Sequence, residues 1–189
     1  PVKKLLLSAA ATLALSAHAF AADYKFDPSH AQILFSYNHL GFSTTYGLFS
    51  GFEGTAKIDE SDLGSASVQL EIKIDDMLTG WEGRDGHFKS GDFFNMGEFP
   101  VASFASTKVE ATGDKTATIT GDLTIAGMTK EVVLDATLNQ IGKNPLNQKD
   151  WAGFDATATL KRSDFGLGKF APAVSDEVEI KISVELDKL

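Results

Sequence analysis

Residues 177–187 alternate without a break. Val178, Ile180, Ile182, Val184 and Leu186 are aliphatic, while Glu177, Glu179, Lys181, Ser183, Glu185 and Asp187 are charged or hydroxylated. Strand side chains point to opposite faces with period two, so this segment reads as one strand with a dry face and a wet face. The pattern recurs along the chain. Ile33, Phe35, Tyr37 and His39 share one face after a short entry strand, Tyr24 to Phe26, that Asp27-Pro28 closes. Tyr46, Leu48, Phe52, Ala56 and Ile58 are expected on the next face, then Ala66, Val68, Leu70, Ile72 and Ile74. Phe104 marks a strand after Phe99-Pro100. Ala117 to Ile125 and Val132 to Leu138 flank the tight Ala126-Gly127-Met128 turn, a hairpin signal. Phe154, Ala156, Ala158 and Leu160 supply the penultimate strand. Strands of about ten residues exceed the usual five or six.

The rhythm fails between Met77 and Gly97, where four glycines punctuate Trp81, Arg84, Asp85, His87, Phe88 and Phe93. A short helical excursion around residues 80–95 fits this stretch. The fold class is therefore all-β, with about eight long antiparallel strands that can close into a barrel and so remove the sheet edges. A two-sheet sandwich is the competing arrangement.

The first 22 residues lie outside the pattern. Lys3-Lys4, an apolar run from Leu5 to Leu15, and small residues around Ala17, Ala19 and Ala21 have the form of a cleavable secretory signal peptide. The run is shorter than the ~20 residues that span a bilayer. A mature domain over residues 23–189, exported to the periplasm, is expected. Seventeen basic residues, two of them Lys3 and Lys4, stand against 26 acidic ones, a net charge of −9. Such a surface repels phosphate backbones, so nucleic acid is excluded as a partner. The absence of cysteine excludes a disulfide framework and leaves stability to an apolar core.

The chain carries no nucleophile elbow, P-loop, zincin helix or dinucleotide fingerprint. His30, His39 and His87 are not at metal-site spacing, so no metal is assigned. His39, on the face of Phe35 and Tyr37, reads as a hydrogen-bonded histidine at a barrel mouth. Ser29-His30 is not read as a nucleophile pair, because adjacent side chains seldom point at each other. Arg84 has two readings: a bidentate partner for an anionic head group, or one half of an ion pair with Asp85 that pins the helix to the barrel. Lys161-Arg162-Ser163-Asp164 poses the same choice. An eight-stranded barrel either fills its interior or holds one small ligand. Strands of this length run about 33 Å, which suits a long, thin apolar molecule.

Six blocks in order resemble the YceI-like family over Tyr24 to Leu186. They are Tyr24-Lys25-Phe26-Asp27-Pro28-Ser29-His30; His39 with Gly47-Leu48-Phe49; Arg84-Asp85-Gly86-His87-Phe88-Lys89-Ser90 with Asp92-Phe93-Phe94; Phe99-Pro100 with Phe104; Gly121-Asp122-Leu123-Thr124-Ile125; and Arg162-Ser163-Asp164-Phe165-Gly166. Ala31 departs from the serine expected there. The resemblance implies a lipocalin-like barrel that binds a polyisoprenoid or a related long-chain lipid, such as a quinone or a fatty-acid type, with no required cofactor. It also implies a homodimer and, if the ligand is a quinone, a membrane cytochrome partner.

On that footing Phe35, Tyr37, Phe52, Leu70, Phe104, Leu123, Phe154 and Ile182 are expected to line a tunnel, with His39 and Arg84 at its mouth. A tail of roughly C30–C50 size matches the ~33 Å length. The function expected is that of a non-enzymatic carrier. Two other classes compete with it: a barrel enzyme using His39 or His87 as base, and a stress-related interaction protein for which the lipid is incidental.

Overall fold

The computed structural model describes residues 21–189. The signal-peptide reading falls almost wholly outside the described residues. Ten strands follow in chain order: β1 (Ala22–His39), β2 (Ser43–Ser50), β3 (Glu53–Ile58), β4 (Ser67–Lys73), β5 (Met77–Leu78), β6 (Val101–Ala111), β7 (Thr116–Ile125), β8 (Met128–Lys143), β9 (Asp150–Lys161) and β10 (Glu177–Lys188). Among the described residues one α-helix, α1 (Glu82–Lys89), interrupts them.

β1 pairs antiparallel with β10 and closes the ring β1-β10-β9-β8-β7-β6-β4-β3. The result is an antiparallel eight-stranded barrel, and the sandwich alternative falls. β2 and β5 lie beside this ring. β3 pairs with the first residues of β1 (Ala22–Lys25) and β2 with the last (Gln32–His39), so the two act as one stave bent in the middle. The bend is Gly51, whose φ of +76° places it in the left-handed region that glycine tolerates. Crossing it shifts the inward parity by one residue. Thr45, Gly47 and Phe49 face inward before it, and Phe52, Ala56 and Ile58 after it. Tyr46 and Leu48, expected inside with Phe52, therefore point outward, and Tyr46 is 57% exposed.

β1 is longer than anticipated. Its pairing with β10 jumps from Phe26↔Leu186 to Ala31↔Val184, so Asp27-Pro28-Ser29-His30 is a bulge in one strand rather than the end of a strand. Pro28 has no N–H for a ladder, and the bulge removes the need for one. The β7–β8 hairpin turns at Ala126 and Gly127, both at positive φ (49° and 76°), the backbone that a two-residue hairpin loop with the matching twist requires.

The interior is divided along its length. Tyr24, Phe26, Phe52, Ala56, Ile58, Ala152, Val184 and Leu186 are all buried and fill one end. The Phe26 and Phe52 rings pack there at a tilt, their centroids 5.9 Å apart. The other half is where Ile33 to His39 of β1 and Val178 to Ile182 of β10 face inward over a void.

Candidate functional site

The void is a cavity of about 540 Å³, within the range of small-molecule sites. Its wall is built from the alternation that shaped the strands. Leu70 and Ile72 of β4, Ala102 and Phe104 of β6, and Leu123 and Ile125 of β7 face in. So do Val132 and Leu134 of β8, Ala158 and Leu160 of β9, and Val178, Ile180 and Ile182 of β10. Glycine keeps the lumen open at two places. The Phe35 ring lies over Gly47, its cross-strand partner, and the Phe104 ring lies over Gly121. A Cβ at either glycine would overlap the ring, so both phenylalanines lie flat against the wall.

Where β2 has no strand beyond β5, aromatic side chains from the non-periodic stretch complete the wall. Phe94 meets Phe49 edge-on at 6.0 Å, Phe88 packs on Tyr37 at 6.0 Å, and Phe93 packs on Phe88 at 5.1 Å. Phe165, Leu167 and Phe170 come from the loop after β9. These contributors were not among the expected site residues, because no periodicity points to them. The available signal was the density of phenylalanine and glycine in segments 80–99 and 165–170.

Eight of the ten expected residues face the cavity: Phe35, Tyr37, His39, Leu70, Arg84, Phe104, Leu123 and Ile182. Phe52 and Phe154 do not line it. Both have inward parity, but they belong to the packed end, where Phe52 is 3% exposed and Phe154 leans on the same cluster. That packing also shortens the tunnel. The open part of β1 runs from Ile33 to His39, about 20 Å at strand rise, in place of the ~33 Å expected from strand length alone.

The polar groups gather at the opposite end from that packing. Tyr37 lies across from Thr45 and His39 across from Ser43, so one hairpin presents four polar side chains to the cavity mouth. The two arginines are largely committed to the scaffold. Arg84 donates from Nε to Thr79 Oγ1 at 2.9 Å and from Nη2 to the Thr79 carbonyl at 2.6 Å. Asp85 Oδ1 accepts from the Thr79 N–H at 2.8 Å. Arg84 and Asp85 thus hold α1 in place by gripping one buried threonine, rather than by the direct ion pair anticipated. Arg162 is the stronger clamp. Its guanidinium donates to the carbonyls of Leu167, Lys169 (2.8 Å), Val174 (2.9 Å) and Ser175 (2.8 Å), tying the whole 165–175 loop over the mouth. Burial draws its pKa below the ordinary value, with Asp176 and Tyr37 opposing. The Arg162–Asp164 pairing is replaced by these carbonyls, and Asp176 instead accepts from Ser163 Oγ at 2.6 Å.

His87 Nε2 sits 3.0 Å from Asp92 Oδ2, and Lys169 Nζ reaches the same oxygen at 2.6 Å. Hydrogen bonds from Lys169 and then His87 hold the Asp92 carboxyl below its usual range. Ser29 and His30 do touch, contrary to expectation, with Oγ 3.0 Å from Nδ1. The bulge folds them together, yet Ser29 Oγ also donates to Asp27 Oδ1 at 2.7 Å and His30 Nδ1 lies 2.6 Å from Asp27 Oδ2. The group is exposed and away from the cavity, so it closes the bulge. Among the described residues no cluster of His, Asp and Glu has the makings of a metal centre.

The chain matches the model of the YceI-like domain over residues 24–186. A UPF0312 protein of Pseudomonas paraeruginosa is 43% identical over 188 residues, covering 97% of each chain. One from Pseudomonas savastanoi is 40% identical over 97% of this chain and 96% of its own. Among solved structures, Burkholderia cenocepacia BcnA superposes with a TM-score of 0.76 at 26% identity, over 85% of this chain and 98% of that one. A Campylobacter jejuni YceI protein does so at 0.72 and 29%, over 80% and 90%. With the family model matching residues 24–186 and relatives at least 40% identical over nearly the whole chain, the chain belongs to the YceI-like family.

Proposed function

We propose that this protein is a periplasmic, non-enzymatic carrier that holds one long-chain isoprenoid or related amphiphilic lipid. The tail lies toward the packed end and the polar end lies at the mouth. The observation that carries this reading is the cavity itself, an apolar tube blocked at one end and rimmed with polar groups at the other. Ten buried methylenes are worth roughly 8 kcal/mol, a gross figure near the micromolar range before ordering costs. No charged contact is needed for retention, which agrees with arginines already occupied by Thr79 and by the loop carbonyls. A fold neighbour, described as a polyisoprenoid-binding domain from Saccharophagus degradans, has a TM-score of 0.68 at 14% identity over 88% of this chain. It supports the barrel as a frame able to accept such a tail. The leader-like residues 1–22 support export.

The test is to purify the protein from the periplasm of cells that make it, extract it with organic solvent and identify the extract by mass spectrometry. One lipid per chain with a tail extending about 20 Å, or a longer one folded, is expected. Absence of any stoichiometric lipid overturns the proposal. The enzyme alternative is separated by His39→Ala and His87→Ala. A carrier keeps its lipid unchanged in composition, whereas an enzyme accumulates an unconverted one.

A further inference from the structure

Exposed apolar groups gather at the end of the barrel where the cavity opens. Four large apolar side chains stand in solvent there: Phe42 (88% exposed), Trp81 (66%), Phe170 (54%) and Leu40 (48%). Trp81 and Phe170 line the cavity as well, so the apolar rim is continuous with the apolar lumen. The exposure is built in. Leu40 and Gly41 both adopt positive φ (57° and 78°), Phe42 N–H donates to the His39 carbonyl at 3.0 Å, and Gly41 N–H donates to Asn38 Oδ1 at 2.7 Å. A defined turn thus holds Phe42 outward. The ladder contact of His39 with Val174 ties this turn to the 165–175 loop.

Charge at the same place is sparse and partnered: the Arg84 guanidinium lies 5.9 Å over the Trp81 ring but is held by Thr79. Segments 39–45, 77–81 and 165–174 contain a single ionised side chain, Lys169, in a protein whose residues are 23% charged. Lys169 is neutralised by Asp92. A chain of net charge −9 gains nothing from an anionic lipid surface, and a rim whose few charges are already partnered has no repulsion to overcome at a zwitterionic one. Tryptophan beside exposed aliphatic groups is the side-chain mix that settles at the membrane interface, with apolar groups about 5–10 Å deep.

We propose that the β1–β2 turn, Trp81 and Phe170 form a docking rim that seats the barrel mouth-down on a zwitterionic phospholipid bilayer. A hydrocarbon tail then passes between bilayer and cavity without crossing water. The transfer step rests on the carrier reading. The docking does not.

The protein has two tryptophans, and they sit at opposite ends. Trp151 is the second residue of β9, across from Asp187 at the packed end, where its Nε1 donates to Glu185 at 2.6 Å. The experiment uses the Trp151→Phe and Trp81→Phe variants with phosphatidylcholine vesicles carrying brominated acyl chains. Trp81 fluorescence is expected to shift to the blue and be quenched, while Trp151 is unaffected. Phe42→Ser is expected to weaken vesicle partitioning about tenfold to a hundredfold, yet still to take up geranylgeraniol from detergent micelles. Unquenched Trp81, equal quenching of both tryptophans, or full vesicle binding by Phe42→Ser overturns the docking. Binding only to membranes that carry protein overturns it in favour of a protein partner. Docking without uptake of micellar lipid leaves the rim standing and defeats the carrier.

Discussion

At the residue scale, the space inside this barrel depends on two glycines as much as on the side chains that line it. Phe35 lies flat because Gly47 has no Cβ. Gly47→Ala is expected to push the ring into the lumen and reduce lipid uptake, excluding roughly 0.8 kcal/mol of affinity per displaced methylene. The fold should lose no more than about 1–3 kcal/mol. Lipid stoichiometry beside thermal unfolding checks this, and unchanged uptake contradicts it. The bulge pair makes a second prediction. The hydrogen bond to Asp27, aided by Glu185, raises the His30 pKa above 6.5. For Asp27, burial pushes upward, but hydrogen bonds from His30 and Ser29 outweigh it and the carboxyl ends below 3.8. His30 therefore contributes stability that is whole below pH 6.5 and lost as pH rises through its raised value. Asp27 contributes stability that is whole above 3.8 and lost as pH falls through its lowered value. The pair works best between those limits. An NMR titration of His30 should return toward 6.5 in Asp27→Asn, and an unmoved midpoint contradicts the pairing.

At the scale of elements, the strands were legible and their irregularities were not. Period two over 177–187 correctly assigned the inward set of β10, because every step of a regular strand flips the side chain. The same rule misplaced Tyr46 and Leu48, since one left-handed residue at Gly51 reverses parity and leaves no trace in the alternation. Gly51→Ala is expected to cost about 1–2 kcal/mol, read as a lower unfolding midpoint. Phe88, Phe94 and Phe170 are absent from the expected cavity wall for a related reason. Helix and loop segments reach the cavity through tertiary packing, which no local period encodes. For Arg162 the sequence leaves a choice between an anionic head group and an ion pair with Asp164, two residues on, whereas the fold offers it four carbonyls. Arg162→Lys cannot reproduce that fork. It is expected to lose roughly 2–4 kcal/mol and to speed hydrogen exchange across residues 165–175. Wild-type protection in the variant contradicts the clamp.

For the whole molecule, the decisive feature is the division of one barrel into a packed half and an open half. Total strand length suggested a tube about 33 Å long, but parity alone could not tell which inward side chains meet each other and which meet a void. Phe52 and Phe154 fell on the packed side because Tyr24, Phe26, Val184 and Leu186 already fill that end. The packed half supplies stability in a chain without cysteine, and the open half is left for a guest. The two roles can therefore be separated by filling the open half alone. Ala158 lines the cavity across from Ile180 and is a small residue in its wall, so Ala158→Trp should plug the lumen and spare the packed end. The most direct measurement is native mass spectrometry of both forms, purified side by side from the compartment where the protein resides. Wild type is expected to carry one lipid per chain, and Ala158→Trp to carry none while unfolding at an equal or higher temperature. An empty wild type, or a plugged variant that still holds its lipid, contradicts the account.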